Sequence, residues 1–410
     1  MKKFPDNFYF GASTSSHQVE GGCLNDWSEW EKRNAKRLAK ESLKFSGLES
    51  WNRIRKEALS LDNYLSGAAA DHYTRYHEDF DIAKKIGLNA YRFSIEWSRI
   101  EPIRGVWDPD QLNHYSKVIA ALHERKIEPF VTVWHWTLPL WLSEIGGVSH
   151  PEFPELFARY TAKLAEEFSG RVKFFITINE PEIYSLNSYM RGIWPPQKKG
   201  IFSYINAMKS LVKSHNLAYD EIKKRIPDAM VGPACNMTYF EPGNGFINKI
   251  ITTAAKRIWN RSFIDRIKTK IDYIGVNYYF HNRINYGFNK NENKSVSDLG
   301  WELYPQGLEH VLNSLKEYNL PVYITENGLA DACDGKRAWF IEVSLRSIMR
   351  AIENKTDVRG YLHWSLMDNF EWDKGFWPRF GLVSIDRKDL SRKIRIESCD
   401  RYREIIEKGI

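Results

Sequence analysis

Phe174-Phe175-Ile176-Thr177-Ile178-Asn179-Glu180-Pro181 and Val322-Tyr323-Ile324-Thr325-Glu326-Asn327-Gly328 are built alike. Each opens with apolar, β-branched and aromatic residues and so reads as a buried strand. Each then turns abruptly to Asn and Glu, with Pro or Gly to stop the strand and start a turn. A strand that served only a core would have no use for an ionisable group at its end. Another run closes in the same way, on Asn277-Tyr278-Tyr279.

Working outward, short apolar runs predict strands at Tyr9–Ala12, Ala90–Ile95, Pro129–Trp134, Phe174–Ile178, Met230–Pro233, Tyr273–Asn277, Val322–Thr325 and Gly360–Trp364. Amphipathic stretches between them predict helices, among them His72–Ile86, Leu112–Arg125, Pro154–Phe168, Tyr204–Arg225, Gly307–Tyr318 and Ala338–Glu353. Strands alternating with helices imply an α/β protein with a parallel sheet. Eight such units favour a closed (β/α)8 TIM barrel with loop insertions at the C-terminal face, where strand ends form a site. An open doubly wound sheet is the alternative, but no Gly-rich phosphate turn follows the first strand. The 410 residues would suit two or three average domains, yet one barrel with insertions reaches the same length. The reading taken is one domain over residues 1–410.

Composition narrows the function classes. No apolar run is long enough to span a membrane, and no apolar segment follows Lys2-Lys3 as a secretory signal would require. Four cysteines lie far apart with no CxxC spacing, so neither a zinc site nor a disulfide framework is expected, and a cytoplasmic location is. The sequons at Asn236, Asn260, Asn293 and Asn354 then read as chance matches. Net charge is +7, and the basic stretch from Lys249 to Lys270 reads either as a solvated helix face or as a patch for an anionic partner. No nucleotide, nucleic-acid or membrane-binding motif stands out, and oligomeric state is left open. Aromatics make up 14% of the chain, many beside polar residues, as in Trp134-His135-Trp136 and Glu371-Trp372. Aromatic platforms with carboxylates and amides suit the apolar faces and hydroxyl edges of sugar rings.

On strands 4 and 7 of a barrel, Glu180 and Glu326 would project into one mouth. Two carboxyl groups roughly 5–5.5 Å apart suit double displacement at a glycosidic carbon, one attacking and one protonating the leaving oxygen. Their proximity should raise one pKa. Two unrelated capping or salt-bridged glutamates are the alternative, and the shared strand context of both argues against it.

These residues carry a resemblance. In order along nearly the whole chain, Phe10-Gly11-Ala12, His17-Gln18-Val19-Glu20-Gly21, Asp71-His72-Tyr73, Tyr91 through Ile100, Trp134-His135-Trp136, Thr177 through Pro181, Gly275 through Tyr279, Ile324 through Gly328 and Trp364 through Trp372 resemble glycoside hydrolase family 1, the β-glucosidase family. The resemblance implies a retaining exo-β-glycosidase of β-glucosidase type, acting through a covalent glycosyl-enzyme on terminal β-D-glucosyl residues. It implies Glu180 as acid/base, Glu326 as nucleophile, Asn179 on the 2-hydroxyl, Tyr279 bonded to the nucleophile, and Asn277 and Arg92 completing the polar shell. Gln18, His135, Glu371 and Trp372 match positions that read the terminal sugar, with Trp136 beside His135. Trp364 matches the stacking floor, Phe380 the far end and Trp301 the aglycone side. Arg99 and Trp97 read as structural. Glu371 stands where phospho-sugar members carry Ser, and its carboxylate would repel a 6-phosphate. Neither cofactor nor metal is implied.

Departures from the family pattern are Thr137 in place of Asp, Phe280 after the Tyr pair, Ser344 in place of His, six residues between Asp265 and Asp272, and an atypical Leu24–Ala70 with a charged helix over Glu31–Leu59. The shortened loop predicts a more open entrance. Galactoside or fucoside preference, dominant transglycosylation, and a non-catalytic sugar-binding scaffold are the competing readings.

Overall fold

Eight parallel strands close on themselves in chain order, β8 pairing back onto β1. The computed structural model describes residues 2–410. The strands are β1 Tyr9–Ser13, β2 Ala90–Ser94, β3 Glu128–Trp134, β4 Phe174–Asn179, β5 Met230–Pro242, β6 Ile274–Ile284, β7 Val322–Asn327 and β8 Val358–Trp364. Helices between them cover the outside, so the fold is a (β/α)8 barrel. A short antiparallel pair, β9 Val383–Ile385 and β10 Arg392–Ile394, and a closing helix Ile396–Lys408 follow.

The strands are buried on both faces, which is why they read as apolar runs rather than as alternating ones. Inside the barrel, Phe130, Phe174, Tyr273, Tyr323 and Leu362 fill the N-terminal end with packed rings, Phe130 and Phe174 stacking at 4.2 Å. Two residues on, where the period of the strand returns the side chain inward, Ala90 gives way to Arg92 and Phe130 to Thr132. Arg92 Nε donates to Thr132 Oγ1 at 3.0 Å. The axis thus passes from an aromatic plug to a polar layer, and the polar layer carries the site.

Registers slip where that layer begins. Between β4 and β5 the slip falls between Ile176 and Asn179, opposite Pro233. Between β5 and β6, Met237 faces Tyr278 but Thr238 faces Phe280, leaving Tyr279 as the extra residue of a bulge. Bulges of this kind re-aim a side chain at a barrel rim.

Several sequence expectations need correction. β5 and β6 run well past Pro233 and Asn277, pairing as far as Pro242 with Ile284. The predicted helix over 31–59 is two helices, Asp26–Glu41 and Trp51–Ala58, with a 3-10 turn at Ser42–Phe45. The helix Ile396–Lys408 was not foreseen, and within the basic stretch read as a helix face the α-helix is Phe246–Lys256, followed by a π-turn at Arg257–Arg261. Gly307–Tyr318 is helical only to Asn313 before a further 3-10 turn. Arg99 and Trp97 are structural: Arg99 pairs with Glu20 at 2.9 Å and Trp97 stacks on Tyr160 at 4.4 Å.

Candidate active site

Gln18, His135, Trp136, Asn179, Glu180, Tyr279, Trp301, Glu326, Trp364, Glu371, Trp372 and Phe380 line a single cavity of about 260 Å³ at the C-terminal mouth of the barrel. Arg92 and Asn277, fully buried, lie beneath them and bond to its lining.

The strand ends set the carboxylates. Glu180 follows β4 with φ 40° and caps the short helix Pro181–Ser185. That left-handed backbone is costly for a residue with a Cβ and is kept where the surroundings dictate it, typically at functional sites. Trp136, at φ 78°, and Trp372, at φ 48°, share the feature. Glu326 is the penultimate residue of β7. Asn277 stands between them: its Nδ2 donates to Glu180 Oε1 at 3.0 Å and to Asn179 Oδ1 at 3.1 Å, while its Oδ1 accepts from Thr325 Oγ1 at 2.7 Å. Arg92 Nη1 donates to Glu326 Oε1 and Nη2 to Asn179 Oδ1, both at 2.6 Å. The bulged Tyr279 donates its hydroxyl to Glu326 Oε2 at 2.9 Å.

This wiring separates the two acids electrically. Burial pushes Glu180 up to about 8, the charge of Glu326 adding to it, and the amides of Asn236 and Asn277 only partly oppose the rise. Burial also raises Glu326, but the Arg92 guanidinium and the Tyr279 hydroxyl stabilise its charged form. One carboxyl is therefore biased to keep its proton and the other to lose it.

The remaining lining is aromatic and amide. His135 is held neutral by burial and by repulsion from Arg92, and the Asn179 amide meets its Nε2 at 3.0 Å. Its ring lies near-parallel to Trp364 and Trp372. Trp136 Nε1 donates to the Asn179 carbonyl at 2.8 Å. Gln18 is fixed by Nε2 bonds to Asn369 Oδ1 at 3.0 Å and the Phe370 carbonyl at 2.8 Å. Glu371 is raised to about 8 by burial, against the pull of Lys374. Trp301 packs on Phe280 at 4.8 Å toward the outer end.

Sequence reasoning missed Asn236, whose Nδ2 donates to Glu180 Oε1 at 3.0 Å. Ending strand 5 at Pro233 hid it. Ala234-Cys235-Asn236 repeats the apolar-to-amide ending of the other strands, and that was the available signal. Trp194, Ile183, Leu186, Ile193 and Lys374 also line the cavity unforeseen. Thr137, one of the departures, donates to both oxygens of the buried Glu96 at 3.1 and 3.0 Å. An Asp there would set a second carboxylate against the first. Among the described residues no cluster of three or more His, Cys, Asp or Glu is arranged to hold a metal.

A closed α/β barrel whose rim brings an amide-bonded and an arginine-held glutamate into one aromatic pocket has the parts of a glycoside-cleaving enzyme. The chain belongs to glycosyl hydrolase family 1, whose model matches residues 1–273 and 248–409. It is similar to a 1,4-β-D-glucan glucohydrolase of Thermotoga neapolitana, 32% identical over 96% of both chains. It is 31% identical to β-glucosidase A of Thermotoga maritima, again over 96% of each. Among solved structures, a β-glycosidase from Pyrococcus horikoshii superposes with a TM-score of 0.87 at 33% identity, covering 99% of this chain and 95% of that one.

Proposed function

We propose that the protein is a retaining exo-β-glucosidase in which residues 1–410 act as one catalytic domain. The observation that carries this is the unequal wiring of the two glutamates: Glu180 meets only neutral amides and is biased toward its acid form, while Glu326 is bound by the Arg92 guanidinium and the Tyr279 hydroxyl. Glu180 donates its proton to the leaving oxygen as a Glu326 oxygen bonds to the anomeric carbon and the glycosidic bond breaks. Glu180, now a carboxylate, takes a proton from water. That water attacks the same carbon and releases Glu326, restoring the original anomeric configuration.

The cavity lies at the small end of ligand sites, which begin at roughly 300 Å³, and suits one ring at a time. Asn179, held by Arg92, is positioned for the 2-hydroxyl. Gln18, His135, Glu371 and Trp372 take the other hydroxyls, Trp364 and Trp136 the ring faces, and Phe380 closes the far end. Trp301 and Phe280 flank the leaving group. Glu371 disfavours a 6-phosphate when ionised and offers a hydroxyl partner in either state. We place the enzyme in the cytoplasm, where its four free cysteines stay reduced.

The test is chemical rescue with product anomers read by NMR. Glu326→Ala should lose turnover on nitrophenyl β-glucoside and regain part of it with azide, giving the α-glycosyl azide. Glu180→Ala should give the β-azide. The reverse pairing would overturn the two roles, and a larger kcat/KM on the galactoside or fucoside would overturn the glucoside preference.

A further inference from the structure

The basic stretch from Lys249 to Lys270 takes no part in the site. Residues 246–270 carry seven Lys or Arg against the single acid Asp265, a net +6 where the whole chain carries +7. From Ile183 to Tyr219 there are five more basic residues and no Asp or Glu. Lys213, Arg261 and Lys270 are paired with Glu155, Glu317 and Asp220. Lys198, Lys199, Lys249, Lys256, Arg257 and Lys268 have no carboxylate at ion-pair distance among the described residues.

The same elements expose apolar side chains. The helix Phe246–Lys256 buries Asn248, Thr252 and Ala255 on its inner face. Its outer face shows Phe246, 77% exposed, with Ile247, Ile250 and, one π-turn on, Ile258. The first turns of the neighbouring helix Ile201–Arg225 show Phe202, 80% exposed, and Ile205. Ile205 and Ile258 line one cleft of about 440 Å³, so the two elements form a single surface. Both leave the C-terminal ends of barrel strands, β4 and β5, on the rim of the face that holds the pocket. Monomeric proteins rarely leave so many large apolar groups together without a partner.

We propose that this face is a docking surface for an anionic phospholipid bilayer, on which the helix Phe246–Lys256 lies in the plane of the interface. Apolar side chains flanked by unpaired cations are the composition of interfacial helices. Inorganic phosphate or a nucleic acid would use the cations and leave the Phe and Ile side chains in water. A second copy about a twofold axis would set the unpaired cations of this face against one another. No helix among the described residues is long and apolar enough to cross a membrane, so the contact is peripheral.

Flotation of the purified full-length protein with vesicles tests this. Binding should be strong to phosphatidylcholine vesicles containing phosphatidylglycerol, weak to phosphatidylcholine alone, and reversed by salt as charges are screened. Lys249→Gln with Arg257→Gln should weaken partitioning about thirtyfold, at ~1 kcal/mol for each cation. Phe246→Ser with Ile250→Ser should weaken it at least about tenfold. Ile103→Ser, another exposed apolar site, should change nothing. Turnover of a soluble aryl glucoside should be retained by all variants, showing that they fold. The wild-type comparison of vesicle types and salt does not depend on any variant. No binding, equal binding to neutral vesicles, binding indifferent to both paired substitutions, or a dimer that these substitutions dissociate would each overturn the proposal.

Discussion

Tyr279 shows how much one side chain does. It is the surplus residue of the β5–β6 bulge, and only that extra residue turns its hydroxyl onto Glu326 Oε2. A hydrogen bond to a charged partner is worth ~1.5–3 kcal/mol. Tyr279→Phe should therefore lower kcat roughly ten- to a hundredfold on aryl glucosides while the fold is kept, and unchanged kcat would remove the residue from the mechanism. Glu180 gives a pH prediction of its own. Its acid form is needed for leaving-group departure, so kcat/KM on poor leaving groups should fall as pH rises through about 8. Loss of activity on the acid side should follow protonation of Glu326, and removing the Arg92 charge should move that limb to higher pH. A basic limb that survives Glu180→Gln unchanged would assign it to another group.

At the scale of elements, the strand ends are held by close backbone approach. A Cβ on Gly328 would come within 1.8 Å of the Trp364 carbonyl oxygen, so only glycine lets β7 leave the barrel beside β8. Gly328→Ala should cost at least ~1–3 kcal/mol as overpacking and reduce activity, because Glu326 lies two residues back. A urea midpoint and kcat equal to wild type would contradict this. The same local chemistry explains what could be read from sequence. All eight strands were legible because their runs are apolar on both faces, and Glu180 and Glu326 because a charge at the end of such a run stands out. The far halves of β5 and β6 were not legible. Pro233 looks like a strand terminator, yet it sits where the β4–β5 register slips and its missing N–H is not needed by the regular ladder. Asn236 was lost with that half-strand. The helix Phe246–Lys256 was legible only as a charged helix face, because its apolar residues face outward and so mark no core.

For the whole molecule, the site imposes a dependence of stability on pH. Burial pushes Glu180, Glu182 and Glu371 up to about 8 and Asp26 to about 7. In the unfolded chain these groups release their protons near 4. Between those limits the folded state holds protons that the unfolded state has lost, and stability falls as pH rises. Each glutamate's move from 4.5 to about 8 corresponds to as much as ~4–5 kcal/mol. The stabilisation is fully present below about 4.5 and gone once pH passes 8. At the acid end the opposite sign applies to Asp79, held low by His72 and Arg392, whose contribution disappears as pH drops through its depressed value. His114, His135, His215 and His363, held neutral by burial, oppose the acids below about 6.5, where only the unfolded chain takes up their protons. Stability should then be nearly level from about pH 5 to 6.5, with urea midpoints declining from there to pH 8.5, below the chain's isoelectric point of 8.9. Glu182 isolates the effect. One of its oxygens has no hydrogen-bond partner, and it is not assigned a part in turnover. Glu182→Gln should match wild type near pH 5 and become progressively more stable than it above pH 7. A gap that stays constant across that range would mean that Glu182 is already ionised in the fold, and the buried-acid account of the pH dependence would fall.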